Sequence, residues 1–436
     1  MKDYSKEWKY AKKYILGGNM LLSKRPEMFL PKYWPTYFQR ASKISVWDLY
    51  NNKFKDFIFA VGQSPLGYRN SFIDKEIVKN INLGNMTTLN CNEEVLLSKK
   101  LLKIHKWADK VKFARSGGEA NALAIRIARS ACVSSRDNIA VCGYHGWHDW
   151  YLSVNLSSRS NLDQHLLPGL DPLGVPKELK NKTHAFEYGN FEQLKKIYNK
   201  YKLGIVKMEV ARDKFPDVKF LKKVRKFCTK KKIILIFDEC TSGFRYNLGG
   251  LHLKIGVKPD LAMFGKALGN GYAITAVIGK NQIMNKAINS FISSTFWTER
   301  LGFVAALKSI EFYEKNKIEK VLRKNGKYIL SQWKKLSKKY KLNLKINDMY
   351  CICKFEFEEN NNLLKTLITQ EMLKMNYLAS NMIYVSIYHN KNEVDKYINK
   401  LESVFKLISR IRLDKKKILE SLITHQAKKT FKRLID

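Results

Sequence analysis

Ile233-Ile234-Leu235-Ile236-Phe237-Asp238-Glu239-Cys240-Thr241-Ser242-Gly243-Phe244-Arg245 is the stretch on which the fold turns. A strand with one wet face alternates apolar and polar residues, whereas the unbroken apolar run Ile233 to Phe237 describes a strand covered on both sides. Asp238 follows directly and so stands at the strand's end, at the rim of a cleft; it is equally suited to cap a following helix. The same pattern recurs upstream. Val111 to Ala114, Ile139 to Cys142 and Gly204 to Met208 are further short runs of this kind, with helical spacing between them. Over residues 61–310 this alternation predicts an α/β domain with a mostly parallel sheet under helices on both faces. Ligands of open parallel sheets bind beyond the carboxyl ends of the strands, so the chemistry should follow the strand runs.

The composition sets the frame for that domain. At 436 residues the chain has room for about two to four domains. Apolar residues make up 45% and charged residues 27%, which excludes wholesale disorder. The balance of 80 Lys+Arg against 39 Asp+Glu gives a net charge of +41. The lysines are spread along the chain, with local runs such as Lys230-Lys231-Lys232 and Lys415-Lys416-Lys417, and no nucleic-acid module accompanies them. The charge therefore reads as a solvated lysine surface with weak anion binding and no specific nucleic-acid partner. Apolar spans of membrane-crossing length are missing, and residues 1–14 are charged throughout, unlike a signal peptide. Seven cysteines at irregular spacing suit reduced thiols, so a cytoplasmic protein without a membrane partner is expected. Residues 1–60 read as an N-terminal arm packing with the small domain, leading into a short strand pair that turns at Asn51-Asn52. Residues 311–436 read as a smaller, helix-rich, basic domain with strand pieces at 351–357 and 382–388, closing on a terminal helix over residues 411–436.

Four segments following strands carry candidate chemistry. Arg115-Ser116-Gly117-Gly118-Glu119-Ala120 opens a helix after the first strand; small residues there let backbone N–H groups approach a phosphate, although small residues also suit a plain turn. Tyr144-His145-Gly146-Trp147-His148 follows the second strand and offers an aromatic to stack on a flat ring. Cys142, His145 and His148 fall three apart, as metal ligands can, but no second Cys/His pair lies nearby, and no metal is expected. Asp238 can hold a carboxylate against a cationic ring nitrogen. Lys266 lies in the apolar, glycine-rich stretch Met263-Phe264-Gly265-Lys266-Ala267-Leu268-Gly269, where desolvation favours a nucleophilic amine. The glycines follow that lysine and no Ser or Thr succeeds it, so the stretch is not a nucleotide P-loop. Phosphate turn, stacking aromatic, carboxylate and lysine, in this order, are the parts of a pyridoxal phosphate site.

On these motifs the chain resembles the class III aminotransferases of fold type I, and within them the glutamate-1-semialdehyde 2,1-aminomutase branch. Ser116 precedes Tyr144 by the same interval as Asp238 precedes Lys266, and both intervals match the family pattern. The resemblance spans roughly residues 10–410. It implies pyridoxal 5'-phosphate as cofactor, with its aldehyde held by Lys266 as a Schiff base and its ring nitrogen kept protonated by Asp238. It further implies that Tyr144, in Tyr144-His145-Gly146, stacks on the ring, that Ser116, Gly117 and Gly118 hold the phosphate, and that Thr241 lies near the phenolic oxygen. Thr295 matches a threonine that reaches the neighbouring subunit's phosphate, which implies a homodimer with shared active sites. Glu209 ends the third strand where the family often has Glu-Pro, with Val210 in place of the proline, and is a substrate candidate together with Arg25, whose guanidinium can grip a carboxylate or simply lie at the surface.

Departures from the pattern limit the substrate assignment. Gly118 replaces the usual threonine of the phosphate turn, at the cost of one hydroxyl donor. Phe296 and Trp297 follow Thr295 where the family has small residues, which would reshape the entrance. The resemblance implies amino transfer between a small-molecule donor and acceptor, on an amino acid, semialdehyde or keto-sugar type substrate. The alternative is the intramolecular aminomutase reaction. A catalytically inactive basic binding protein on the same fold is a third reading, set against the intact Asp238 and Lys266.

Overall fold

A computed structural model describes residues 1–132, 135–165, 167–211 and 214–428. They form two units: Met1–Asn70 with the described part of Lys320–Asp436, and the larger Ser71–Glu319.

The smaller unit begins with three antiparallel strands, β1 (Phe38–Ser42), β2 (Ser45–Asp48) and β3 (Lys53–Asp56). The turn between β2 and β3 falls at Asn51, which takes a φ of 63°, and Asp48 Oδ1 accepts from the backbone N–H groups of Tyr50 and Asn52. Asparagine tolerates this left-handed backbone better than most residues, which is why the turn is legible.

In the larger unit the strands are β4 (Lys110–Ala114), β5 (Asn138–Cys142), β6 (Thr183–Ala185), β7 (Leu203–Glu209), β8 (Ile234–Asp238), β9 (Leu261–Phe264) and β10 (Thr275–Gly279). Among the described residues they make one seven-stranded sheet in the order β4-β10-β9-β8-β7-β5-β6. The pairs from β6 through β5, β7 and β8 to β9 are parallel, and β10 runs antiparallel to both β9 and β4. This is the mostly parallel sheet of an α/β fold. Every residue of β7, β8, β9 and β10 is buried, in keeping with their apolar runs. Helices cover the sheet by their small and apolar faces. Gly117–Ala131 buries Ala120, Leu123, Ala124, Ile127 and Ala128, and Val218–Lys231 buries Phe220, Leu221, Val224 and Cys228. The latter helix is capped by Asp217, whose side chain accepts from Phe220 N, and it carries Lys230 and Lys231 in its last turn, where positive charge complements the helix dipole.

The smaller unit is completed by β11 (Lys345–Ile346), β12 (Ile352–Glu356), β13 (Tyr377–Leu378) and β14 (Met382–Tyr384). β13 pairs in parallel with β3, while β11, β12 and β14 form an antiparallel sheet. The second expected strand piece, 382–388, stops at Tyr384 because Ser386 N donates to His389 Nδ1 and His389 N donates back to Ser386 O, which turns the chain. The expected terminal helix is also shorter than its spacing suggests. Helix Lys391–Ile411 is followed only by Lys415–Glu420, and the chain then runs without helix to residue 428. Gln370 takes over the backbone there, donating from Nε2 to Ser421 O and accepting Ile423 N at Oε1, while Ala427 N donates to Thr366 Oγ1. These side-chain bonds fasten the tail to helix Asn361–Lys374 in place of further helical turns. Residues 429–436 of the expected helix lie outside the described residues. No helix among the described residues is long and apolar enough to cross a membrane.

Candidate active site

β8 delivers Asp238 to the carboxyl edge of the sheet, in register with Glu209 at the end of β7. Asp238 is buried and its two oxygens are divided between two donors. Oδ2 faces His145 Nδ1 at 2.8 Å, and Oδ1 accepts from Cys240 N at 3.0 Å. Burial alone would push this carboxyl up, but the His145 hydrogen bond and the Lys207 ammonium outweigh it and hold the group well below the usual carboxylate range. Burial also lowers the His145 pKa, so the imidazole is neutral and its Nδ1–H donates to the carboxylate. Its Nε2 is enclosed and has no hydrogen-bond partner among the described residues.

The loop after β5 is pinned at each turn. Gly143 N donates to His165 Nδ1 at 2.9 Å, Tyr151 Oη donates to Gly143 O at 2.7 Å, and Tyr144 N donates to Glu209 Oε2 at 3.0 Å. Gly143, at φ 107°, is required here, because a Cβ would lie 2.4 Å from that same Glu209 oxygen. Glu209 therefore fixes the backbone from which the half-buried Tyr144 ring projects, edge-on to Tyr151.

Ser116 begins helix Gly117–Ala131 with a reciprocal cap. Its Oγ accepts from Glu119 N, and Glu119 Oε2 accepts from Ser116 N at 2.7 Å and Arg115 N at 3.1 Å. The backbone N–H groups of Gly117 and Gly118 stand in the first turn, where a helix supplies them no partner of its own, and the helix start adds partial positive charge. The Thr295 segment is anchored to this turn: Arg115 Nε donates to Phe296 O at 2.8 Å, and Trp297 Nε1 donates to Glu119 Oε1 at 3.1 Å. Thr295 itself is exposed.

Lys266 is half-buried just past β9, and its Nζ donates to Thr241 Oγ1 at 2.8 Å. Its φ of 25° lies in the region disfavoured for residues with a side chain. Cys240 joins these pieces: its Sγ lies 3.0 Å from where a Cβ of Gly265 would be and 3.8 Å from that of Gly117. The end of β8, the lysine turn and the helix start thus meet, and the larger unit holds Ser116, Gly117, Gly118, Tyr144, His145, Glu209, Asp238, Thr241, Lys266 and Thr295. Arg25 belongs to the smaller unit, where it is buried with its guanidinium against Gly17.

The family model for class-III aminotransferases matches residues 31–404. The chain belongs to this family. This class-III aminotransferase is 33% identical over 325 residues to the 3-aminobutyryl-CoA aminotransferase of Cloacimonas acidaminovorans (strain Evry), a match covering 72% of this chain and 74% of that protein. It is 28% identical over 429 residues to the glutamate-1-semialdehyde 2,1-aminomutase of Wigglesworthia glossinidia brevipalpis, covering 91% and 96%. Among solved structures, the PLP internal aldimine form of the Sphingopyxis sp. MTA144 FumI protein is similar with a TM-score of 0.84 at 20% identity, covering 94% of this chain and 97% of that one. An omega-transaminase from Sphaerobacter thermophilus gives 0.82 at 18%, covering 94% and 98%. At these identities the structures speak for the fold, which is that of fold type I.

The cofactor of this class-III aminotransferase is pyridoxal 5'-phosphate. The residues fit it: an amine suits its aldehyde, an ionised carboxylate its ring N–H, and a glycine-rich helix start its phosphate. Two further buried groups are given no role by the sequence: Lys207, outside the motifs, and Glu239, inside one. Lys207 is fully buried on β7, with Nζ 3.1 Å from Met263 Sδ; burial lowers its pKa while Asp238 pulls it up. It lies two residues before Glu209 and so on the same strand face, a period-two signal that marks it in hindsight. Glu239 turns away from Asp238. Its Oε1 accepts from His252 N and His252 Nδ1, and its Oε2 from Leu251 N and Ser242 Oγ. Trp107 Nε1 donates to His252 Nε2 behind it. Glu239→Ala is expected to destabilise the protein by about 3–5 kcal/mol, because four buried donors lose one acceptor. Urea unfolding at an unchanged slope measures this, and a loss under about 1 kcal/mol would deny Glu239 that role.

Proposed function

We propose that the protein transfers an amino group between a small-molecule amino donor and a carbonyl acceptor, an amino acid, semialdehyde or keto-sugar, with Lys266 and Asp238 as its working residues. The observation that carries this reading is the convergence of the Lys266 amine, held at 2.8 Å on Thr241, with an Asp238 carboxylate kept ionised beneath the same sheet edge. Pyridoxal phosphate, when bound, supplies an aldehyde that takes up the amino group and a ring that accepts the electron pair of a carbon losing its proton. The chain's own tasks follow from its geometry. Lys266 would hold the cofactor's aldehyde carbon, and its free amine would take the proton from the substrate carbon and return it elsewhere. Thr241 keeps the Lys266 Nζ in place. Asp238 fixes a proton on the ring nitrogen, and His145 keeps the carboxylate aimed and charged. Tyr144 covers one ring face. Ser116, Gly117 and Gly118 bind the phosphate.

Thr295 of the partner subunit would complete that phosphate site in a cytoplasmic homodimer. Large exposed apolar side chains in the larger unit, among them Leu89 at 81% and Phe291 at 90%, support burial against a second copy. Arg25 and Glu209 are the candidate substrate contacts; Glu209 also accepts from the Tyr144 backbone N–H.

A second reading rests on the relatives. The match to the aminomutase of Wigglesworthia glossinidia brevipalpis runs over nearly the whole chain, and such an enzyme returns the nitrogen within one molecule. Acceptor dependence separates the two. Steady turnover of an amino donor is expected only with an added keto or aldehyde acceptor. Sustained conversion of glutamate 1-semialdehyde with no acceptor present would overturn intermolecular transfer in favour of the mutase.

A further inference from the structure

Lys207 interrupts an otherwise apolar strand, and the register of the sheet says where its amine goes. Lys207 on β7 pairs with Ile236 on β8, and Asp238, two residues further along β8, pairs with Met263 on β9. Residues paired in register, or two apart on one strand, share a face of the sheet. Lys207, Glu209, Asp238 and Met263 therefore lie on one face, while Ala262 and Phe264 on the other face of β9 join the apolar core with Leu97 and Phe303. Lys207 Nζ lies 3.1 Å from Met263 Sδ. Neighbouring strands are about 4.8 Å apart, so an amine that reaches β9 from β7 crosses β8 on the face and at the level of the Asp238 carboxylate.

Lys207 is fully buried, and Met263 Sδ is its one hydrogen-bond partner among the described residues. A thioether accepts weakly and carries no charge, so the counter-charge of a buried ammonium has to come from a carboxylate. Asp238 and Glu209 supply it, Asp238 more strongly, against the cost of burial. Burial keeps the His145 imidazole and the Cys240 thiol, the other titratable groups here, neutral. Helix Gly117–Ala131, packed on β7, β8 and β9, buries no charged side chain.

We propose that Lys207 is a positioning residue that acts through Asp238, its ammonium taking a share of the carboxylate's charge and so loosening the proton on the cofactor's ring nitrogen. The inference rests on the reading of Asp238 as the partner of that ring N–H. A carboxylate alone would hold the proton fast; one shared with an ammonium holds it less firmly and moderates the ring's pull on electrons.

The test is the nitrogen NMR resonance of holoenzyme loaded with pyridoxal phosphate isotopically labelled at the ring nitrogen, followed across pH. Lys207→Met and Lys207→Leu are expected to raise the pH at which this resonance leaves its protonated position by about one to two units, the effect of a unit charge across roughly 5–10 Å of protein. Asp238→Asn is expected to lower it, and Met263→Leu, which removes the thioether and leaves the charge, to keep it in place. The same pH dependence in wild type and both Lys207 variants, with a weakened hold in Asp238→Asn, would overturn the proposal while sparing Asp238. A fall in the Lys207 variants, or a rise of equal size in Met263→Leu, would overturn it as an effect of packing. An unchanged resonance in Asp238→Asn would take Asp238 away from the ring nitrogen, and the proposal with it.

Discussion

Lys266→Ala is expected to abolish covalent capture of the cofactor and to cut turnover by at least about a thousandfold, within the range lost when a positioned acid–base group is removed. Treated with borohydride, the wild-type protein should gain the mass of one reduced cofactor on the peptide containing Lys266, and the variant should gain none. The fold should survive. Lys266 is half-buried, and its truncation frees the Thr241 hydroxyl at a position that a ligand or water can reach, so stability should shift by no more than about 1 kcal/mol. Lys207 cannot stand in. Lys207 is charge-coupled to the same carboxylate, but it is fully buried on β7 and its Nζ is turned to Met263 Sδ. A variant that still fixes cofactor under borohydride, or that turns over within tenfold of wild type, would take Lys266 out of the site.

The legible part of this architecture is the part written in unbroken apolar runs. β8 announces itself because nothing polar interrupts Ile233 to Phe237, and the acid that ends it needs a reason to be there. β9 and β10 are hidden for the opposite reason. Leu261–Phe264 is four residues long and runs into glycines, and no periodicity tells that Thr275–Gly279 returns antiparallel between β9 and β4. Asp238 and Glu239 look alike in sequence, yet strand alternation sends one to the cleft edge and the other into the hub built with His252 and Trp107. The three-apart spacing of Cys142, His145 and His148 suggests a common ligand, but a loop with two positive-φ glycines does not keep helical or strand register. His145 turns to Asp238 and His148 covers Gly118, and no group of three metal-ligating side chains occurs among the described residues. What local sequence cannot carry is partnership across the sheet, and Lys207 beneath Asp238 and His148 over Gly118 are both of that kind.

Asp238→Asn is expected to separate binding of the cofactor from its activation. The amide keeps the shape of the carboxylate but loses the charge that holds a proton on the ring nitrogen, and turnover should fall by about a hundred- to a thousandfold, as for loss of one preorganised electrostatic contact. Accommodation of the amide depends on His145. In the wild type Cys240 N and His145 Nδ1–H both donate to the carboxylate, so an asparagine can keep only one of these bonds as acceptor. If Oδ1 stays on Cys240 N, the Nδ2 amide meets Nδ1 of the imidazole, donor against donor. The imidazole can resolve this by carrying its proton on Nε2, which has no other partner among the described residues, and accepting at Nδ1. The variant should therefore fold, and borohydride should still fix cofactor to Lys266. The wild-type carboxyl is held well below its ordinary range, so it stays ionised from neutral pH down through the usual carboxylate range and is protonated only as pH falls through its own lowered value. Wild-type turnover should accordingly show no acid limb from this group near neutrality, and the deficit of the variant should be constant with pH there. A deficit that vanishes between pH 6 and 8, on the order of the range over which an ordinary histidine titrates, would assign the charge at the ring to His145 and overturn the role of Asp238.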